Sequence, residues 1–172
     1  MASPIDTGAT RWFRFLSRCS LAFGLVFLGT MFVYTIGLLP ATSGSALPEE
    51  YGDLVMASSR PALYRVAALL DLAVWLATGA FLLALAALLA RRAPIRGALI
   101  AASGIGQVAG VIGSFIKLDG IGDLGNRYAA AVPEQQAVLL RSYLDLQLLL
   151  TSHLSAGQVL YAAAYLLVAT VA

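Results

Sequence analysis

Apolar residues fall into four long runs, separated by stretches where charge, proline and glycine collect. From Cys19 to Leu39 almost every residue is apolar, close to the ~20 residues that a helix needs to cross a bilayer. RWFRFLSR precedes it, with Arg11, Arg14 and Arg18 among Trp12, Phe13 and Phe15, as in an interfacial anchor. A cleaved signal peptide is the competing reading, because Ala41, Ser43, Ser45 and Ala46 come next. Its apolar region should span only ~7–15 residues, so a retained span is expected. The second run starts at about Pro61, whose missing N–H is not needed in a first turn, and its clean core is Leu72 to Ala90. RRAPIR (91–96) is a basic turn, where Pro94 prevents the helix from continuing. A third run covers about 95–116. Val132-Pro133-Glu134 has the form of a last helix start, with the acid at the positive end of the dipole. A helix from there to Ala172 would measure about 60 Å, twice the ~30 Å of hydrocarbon. Its first turns should project as an amphipathic stalk, the alternative being a bend near Ser142.

The pattern predicts an all-α fold, a polytopic membrane helix bundle with four transmembrane helices in a single membrane domain over 1–172. Residues 1–10 form a cytoplasmic leader. The spans lie at about 15–39, 64–90, 96–116 and 143–170, and the outer loops at 40–63 and 117–141. Within those loops, 49–59 has the make-up of a short surface helix, and 117–132 reads as loop or broken helix. Leu70-Asp71-Leu72 and Leu144-Asp145-Leu146 lie 74 residues apart, each opening a span after an acidic loop. That order fits a two-fold repeat of helix pairs; it equally fits the ordinary charge alternation of a membrane protein. The apolar run that ends the sequence fits a protein with further spans.

Composition supplies the reason for the pattern. Hydrophobic residues make up 60% and charged residues 12%, against ~45–50% and ~25% in soluble domains. So much apolar surface requires lipid as its solvent. A net charge of +2 gives no sign of a nucleic-acid partner. The placement of charge matters more: Arg11, Arg14, Arg18, Arg91, Arg92 and Arg96 stand against Asp6 alone, while six of the nine acids lie in the other two loops. Short Arg-rich segments stay cytoplasmic. This puts both termini inside, in an inner or plasma membrane.

One cysteine, Cys19, and one histidine, His153, exclude an intrachain disulfide and a Cys/His metal centre. No nucleophile motif, phosphate-binding loop or HExxH occurs, so neither an enzyme nor a cofactor is expected. Asp119, Asp123 and Asn126 lack the spacing and terminal Glu of a calcium loop. No lysine falls inside an expected span, which argues against a retinal Schiff base.

The polar residues inside or at the edge of the spans form the candidate site: Asp71, Gln107, Asp145, Gln147, His153 and Gln158. Asp71 and Asp145 sit at span margins with Arg65 and Arg141 nearby, which favours interfacial ion pairs over a proton or cation site. His153 lies ~12 Å deeper than Asp145 in the same half of the helix. It could relay a proton, or hydrogen-bond a neighbouring helix. Gln147, Thr151, Gln158 and Tyr165 share a narrow stripe that suits helix–helix glue, with Gln107 as partner. Ala102, Gly106, Gly110 and Ser114 recur every four residues and form a small-residue packing face.

NRYAAAVPEQQAVLLRSY leading into HLSAGQVLYAAAYLLVA resembles uncharacterised small multi-span bacterial integral membrane proteins, especially Ala/Leu/Arg-rich ones. The resemblance covers most of the chain and implies no activity or functional residues. Two roles are expected. The first is a non-enzymatic subunit, assembly or interaction protein, a homo-oligomer included, acting through helix packing. The second is a small transporter or proton-coupled carrier using polar residues of the last span. Beyond the lipid bilayer, the first role requires a membrane-protein partner or a second copy.

Overall fold

The computed structural model describes residues 7–43, 45–90 and 92–169. Residues 1–6 of the leader, Arg91 of the basic turn and residue 170 at the end of the last expected span lie outside them. Helix α1 (Thr7–Phe32) passes into a π-helical turn (Val33–Leu38) and a short α2 (Leu39–Thr42). Residues 7–10 of the leader are thus helical. A 3-10 turn (Glu49–Tyr51) then leads into α3 (Gly52–Ser59).

Prolines open three of the later helices, at Pro61, Pro94 and Pro133. Arg60 and Ala93 are held out of the helical region, with ψ of 61° and 72°, because a following proline crowds the residue before it. Pro61 and Pro94 then open α4 (Pro61–Leu89) and α5 (Pro94–Gly106). After Gln107 the chain continues as α6 (Val108–Phe115), a second π turn (Ile116–Ile121) and α7 (Gly122–Ala130). The expected loop at 117–132 is therefore helical to Ala130. Its glycines lie on a helix flank, where they admit a neighbour. The break comes at Ala131, ψ 147°, just before Val132-Pro133. Helix α8 (Pro133–Ala169) is continuous through Ser142, about 55 Å long at ~1.5 Å per residue.

The protein is all-helical, with no strand among the described residues. Three helical segments are long and apolar enough to cross a membrane: Arg14–Thr42, Pro61–Leu89 and Pro94–Ala130. Helix α8 is not among them. Asp145, Gln147, His153 and Gln158 dilute its apolar character.

Helix α4 is the hub, packed against α1, α5 and α6, while α8 lies on α5 and α6. Backbones meet where glycines coincide. A Cβ on Gly79 would lie 3.2 Å from the Gly104 carbonyl, and one on Gly104 would lie 3.2 Å from Leu82 Cβ and 3.3 Å from the Gly79 carbonyl. One turn from the end of α4, a Cβ on Gly97 would lie 3.1 Å from the Ala86 carbonyl. Contacts this close suit dispersion-driven packing in lipid, where no hydrophobic effect joins one helix to another.

The small-residue face is filled from within. Gly106 faces Leu160 and Gly110 faces the Trp75 indole. Ser114 is buried, its hydroxyl donating to the Gly110 carbonyl at 3.1 Å. Ala102 is exposed. Gly157 receives Trp75 from the other side, so one indole joins α4, α6 and α8.

Gly104→Leu should destabilise the protein by about 2 kcal/mol, the usual scale for overpacking a filled interface. Ala102→Leu, on an exposed position of the same helix, should be near neutral. Thermal unfolding of both variants in detergent makes the comparison. Equal shifts would show that α4 and α5 do not meet at Gly104.

Candidate functional site

A largely buried ion pair joins α4 to the second π turn, toward the end of the bundle where α1 finishes. Lys117 Nζ stands 2.8 Å from Asp71 Oδ2, with side chains only 12% and 19% exposed. The ammonium also donates to the Tyr34 hydroxyl at 2.9 Å and sits 5.1 Å from the centre of that ring. Three helices thus converge on a single cation.

Backbone geometry places two of these groups. Lys117 and Tyr34 are each the second residue of a π turn. A π turn adds a residue to the helix and re-aims the residues beyond it by about 100°, and such turns occur often at functional sites. Asp71 comes from regular α4, roughly 15 Å beyond Pro61. Arg65, its expected partner, is six residues away, a rotation of about 120° on the helix. It is exposed on another face. Lys117 lies in the helical segment Pro94–Ala130, one residue beyond the expected span of 96–116.

Helix α3 roofs the pair. A Cβ on Gly125 would lie 2.5 Å from Ala57 Cβ and 3.0 Å from Ser58 N, so α7 admits α3 only through a glycine. This close packing brings Asp53, half-buried in the first turn of α3, within electrostatic reach of Lys117 and Asp71. Tyr143 fastens the roof to α8: its hydroxyl donates to the Glu50 carbonyl at 3.1 Å, and its ring lies 5.5 Å from that of Tyr51. Arg60 reaches back to the Gly37 carbonyl of the first π turn. Tyr64 is fully buried nearby, within electrostatic range of Asp53, Tyr34, Tyr143 and Asp71. Its hydroxyl has no hydrogen-bond partner.

A cavity of about 550 Å³ opens beside the roof, between the 39–56 segment and α8. Asp53 lines it, with Glu49, Glu50, Tyr143 and Gln147. Asp53 therefore belongs both to the cavity wall and to the surroundings of the buried pair.

The six polar residues singled out in the sequence do not converge. Asp71 alone joins the ion pair. Gln107, 2% exposed, donates to the Ser103 carbonyl at 3.0 Å and, at 3.5 Å, to that of Gly157 on α8. It thus bridges α5 and α8 by backbone, without meeting the α8 stripe. Asp145 is exposed, and the expected bond to Arg141 is not formed; an exposed pair of this kind is worth a few tenths of a kcal/mol at most. Gln147 is half-buried, its side-chain oxygen buried and unpartnered in the cavity wall. His153 Nδ1 lies 2.8 Å from the Leu149 carbonyl of its own helix; since a carbonyl only accepts, that nitrogen carries the proton. Thr151, Gln158 and Tyr165 are exposed.

Lys117, Tyr34 and Asp53 were missed in the sequence. One signal was available, because Lys117 is the chain's single lysine and stands between Ile116 and Leu118. Among the described residues, no cluster of His, Cys, Asp or Glu is suited to a metal ion. No family model, curated protein or solved structure matches the chain.

Burial pushes the Asp53 carboxyl above the usual carboxylate range; Lys117 pulls it down and Asp71 adds to the rise. The folded protein therefore holds a proton at Asp53 more readily than the unfolded chain does. The stability linked to this group is full below the ordinary value of about 4 and is lost as pH rises through the raised one. Asp53→Asn should accordingly be more stable than the parent at pH 7. The gap should close as pH falls toward 4, and unfolding in detergent across that range measures it. A gap that widens on acidification would contradict this assignment.

Proposed function

We propose that the chain is a four-span protein of the cell membrane, with both termini cytoplasmic, that works as a small proton-coupled carrier centred on Lys117, Asp71, Tyr34 and Asp53. Helix α8 is the fourth span in this reading: its 37 residues exceed the length required, and residues 159–169 are all aliphatic or aromatic. The orientation comes from Arg11, Arg14 and Arg18 in the first half of α1 and from Arg91, Arg92 and Arg96 around the start of α5.

The observation that carries the reading is the Lys117–Asp71 contact, whose two side chains come from separate helices, each apolar enough to cross a membrane. Ionisable groups in such segments are costly, and those that occur commonly mark ion or proton pathways. Lys117 has one carboxylate at contact distance and a second, Asp53, within electrostatic reach. When the ammonium turns to Asp71, Asp53 holds a proton; when it turns toward Asp53, the proton leaves. The π turns under Lys117 and Tyr34 supply the local freedom for that exchange. The carrier centre is thus not the last span on its own. A role as a subunit or assembly protein has less to support it, because Gly106, Gly110 and Ser114 are occupied by α4 and α8 of the same chain or buried among them.

The test is proton movement into liposomes that hold the purified protein and a trapped pH dye, under an imposed gradient. The parent should acidify the lumen faster than protein-free liposomes do, and Lys117→Met should slow it at least tenfold. Parent liposomes no faster than empty ones, or an unaffected Lys117→Met variant, would overturn the proposal.

A further inference from the structure

We infer that the cavity between the 39–56 segment and α8 binds a small primary ammonium carrying a short apolar group. The inference rests on the carrier reading and gives it a substrate class. The first argument is charge. Glu49 and Glu50 stand exposed at the rim and Asp53 half-buried in the wall. None of the three has a cation within ion-pair distance among the described residues. Lys117 does not neutralise them, since it is held by Asp71 and Tyr34.

The second argument is hydrogen bonding. Thr42 and Tyr143, both in the wall, already donate their hydroxyl protons to the Leu39 and Glu50 carbonyls, at 2.8 and 3.1 Å. What the wall leaves unsatisfied is an acceptor, the buried side-chain oxygen of Gln147. A buried acceptor left alone is costly, and a turn of the Gln147 side chain toward the cavity would let an N–H donor from a ligand remove that cost. A quaternary ammonium has no N–H and would not. An anion would meet the carboxylates of Glu49 and Glu50, and an ammonium, unlike an anion, favours ionised Asp53 beside it.

The third argument is size and shape. About 550 Å³ falls within the range of small-molecule sites. Leu39, Leu47, Val55 and Met56 supply apolar wall beside the acids, so the ligand is amphipathic. Such an ammonium could be a free amine or the headgroup of an aminophospholipid, and the same chemistry recognises both.

The experiment is calorimetric titration of n-butylammonium chloride into the full chain in phosphatidylcholine nanodiscs, with empty nanodiscs as blank. Saturable binding should appear for butylammonium and be absent for tetramethylammonium and butanoate. Asp53→Asn should weaken it at least tenfold and Gln147→Leu several-fold, in samples whose elution and helicity match the parent. Replacing half of the lipid by phosphatidylethanolamine separates the two sources. Weaker butylammonium binding there assigns the site to a headgroup, and unchanged binding assigns it to a free amine; either outcome supports the site. Heat equal to that of empty discs, or equal affinity in the parent and both variants, overturns it. If proton flux depends on Lys117 but butylammonium does not bind, this inference falls alone. If butylammonium binds and no flux occurs, the site stands and the carrier reading falls.

Discussion

A lysine in an apolar helix bundle needs a partner, and that requirement organises this molecule. Lys117 has Asp71 at 2.8 Å and Tyr34 at 2.9 Å, drawn from two other helices. Removing an ammonium or carboxylate from water costs several kcal/mol, which mutual attraction offsets only when the geometry is good and the remaining donors are used. Good geometry here requires α1, α4 and the 94–130 rod to hold fixed relative positions at one end of the bundle. The two π turns bring Lys117 and Tyr34 into line for the contact. The roof of α3 then limits water, and Asp53 enters the same electrostatic field because α3 is pressed on α7 at Gly125.

Glycine supplies the other constraint. Gly79 with Gly104, Gly97 with Ala86, and Gly157 with Gly110 bring the middle and far end of the bundle to backbone-level contact. Close packing at one end and a charged, cavity-bearing cluster at the other divide the molecule. Of the three buried oxygens without a partner among the described residues, the second end holds those of Tyr64 and Gln147, and the first that of Gln107. Gln107 is an exception to the division, a buried amide in the close-packed region that ties the α5–α6 junction to the Gly157 carbonyl.

Much of the fold was legible because lipid imposes simple rules. Long apolar runs became helices, and Pro61, Pro94 and Pro133 opened theirs. Residues 117–130 were misread for a physical reason: the glycines and aspartates in KLDGIGDLGN have the composition of a loop, whereas here Gly120 and Gly125 face neighbouring helices and Asp119 and Asp123 are exposed. That misreading hid Lys117, and with it the partner of Asp71. The small-residue face was readable as a face. What fills it was not, because period-four spacing carries no information on whether the neighbour belongs to the same chain. The stripe on α8 misled in the opposite direction: Thr151, Gln158 and Tyr165 recur correctly but are exposed, and periodicity alone does not say which side of a helix meets the bundle.

The central claim is that Lys117 and Asp71 stabilise one another across two helices, and a double-mutant cycle tests it most directly. Asp71→Asn, Lys117→Met and the double variant would be unfolded in detergent beside the parent. Each single change leaves an uncompensated charge and should cost about 3 kcal/mol. The double variant, with no charge to strand, should cost clearly less than the sum. Strictly additive losses would contradict the account, since they would show that the two side chains do not meet.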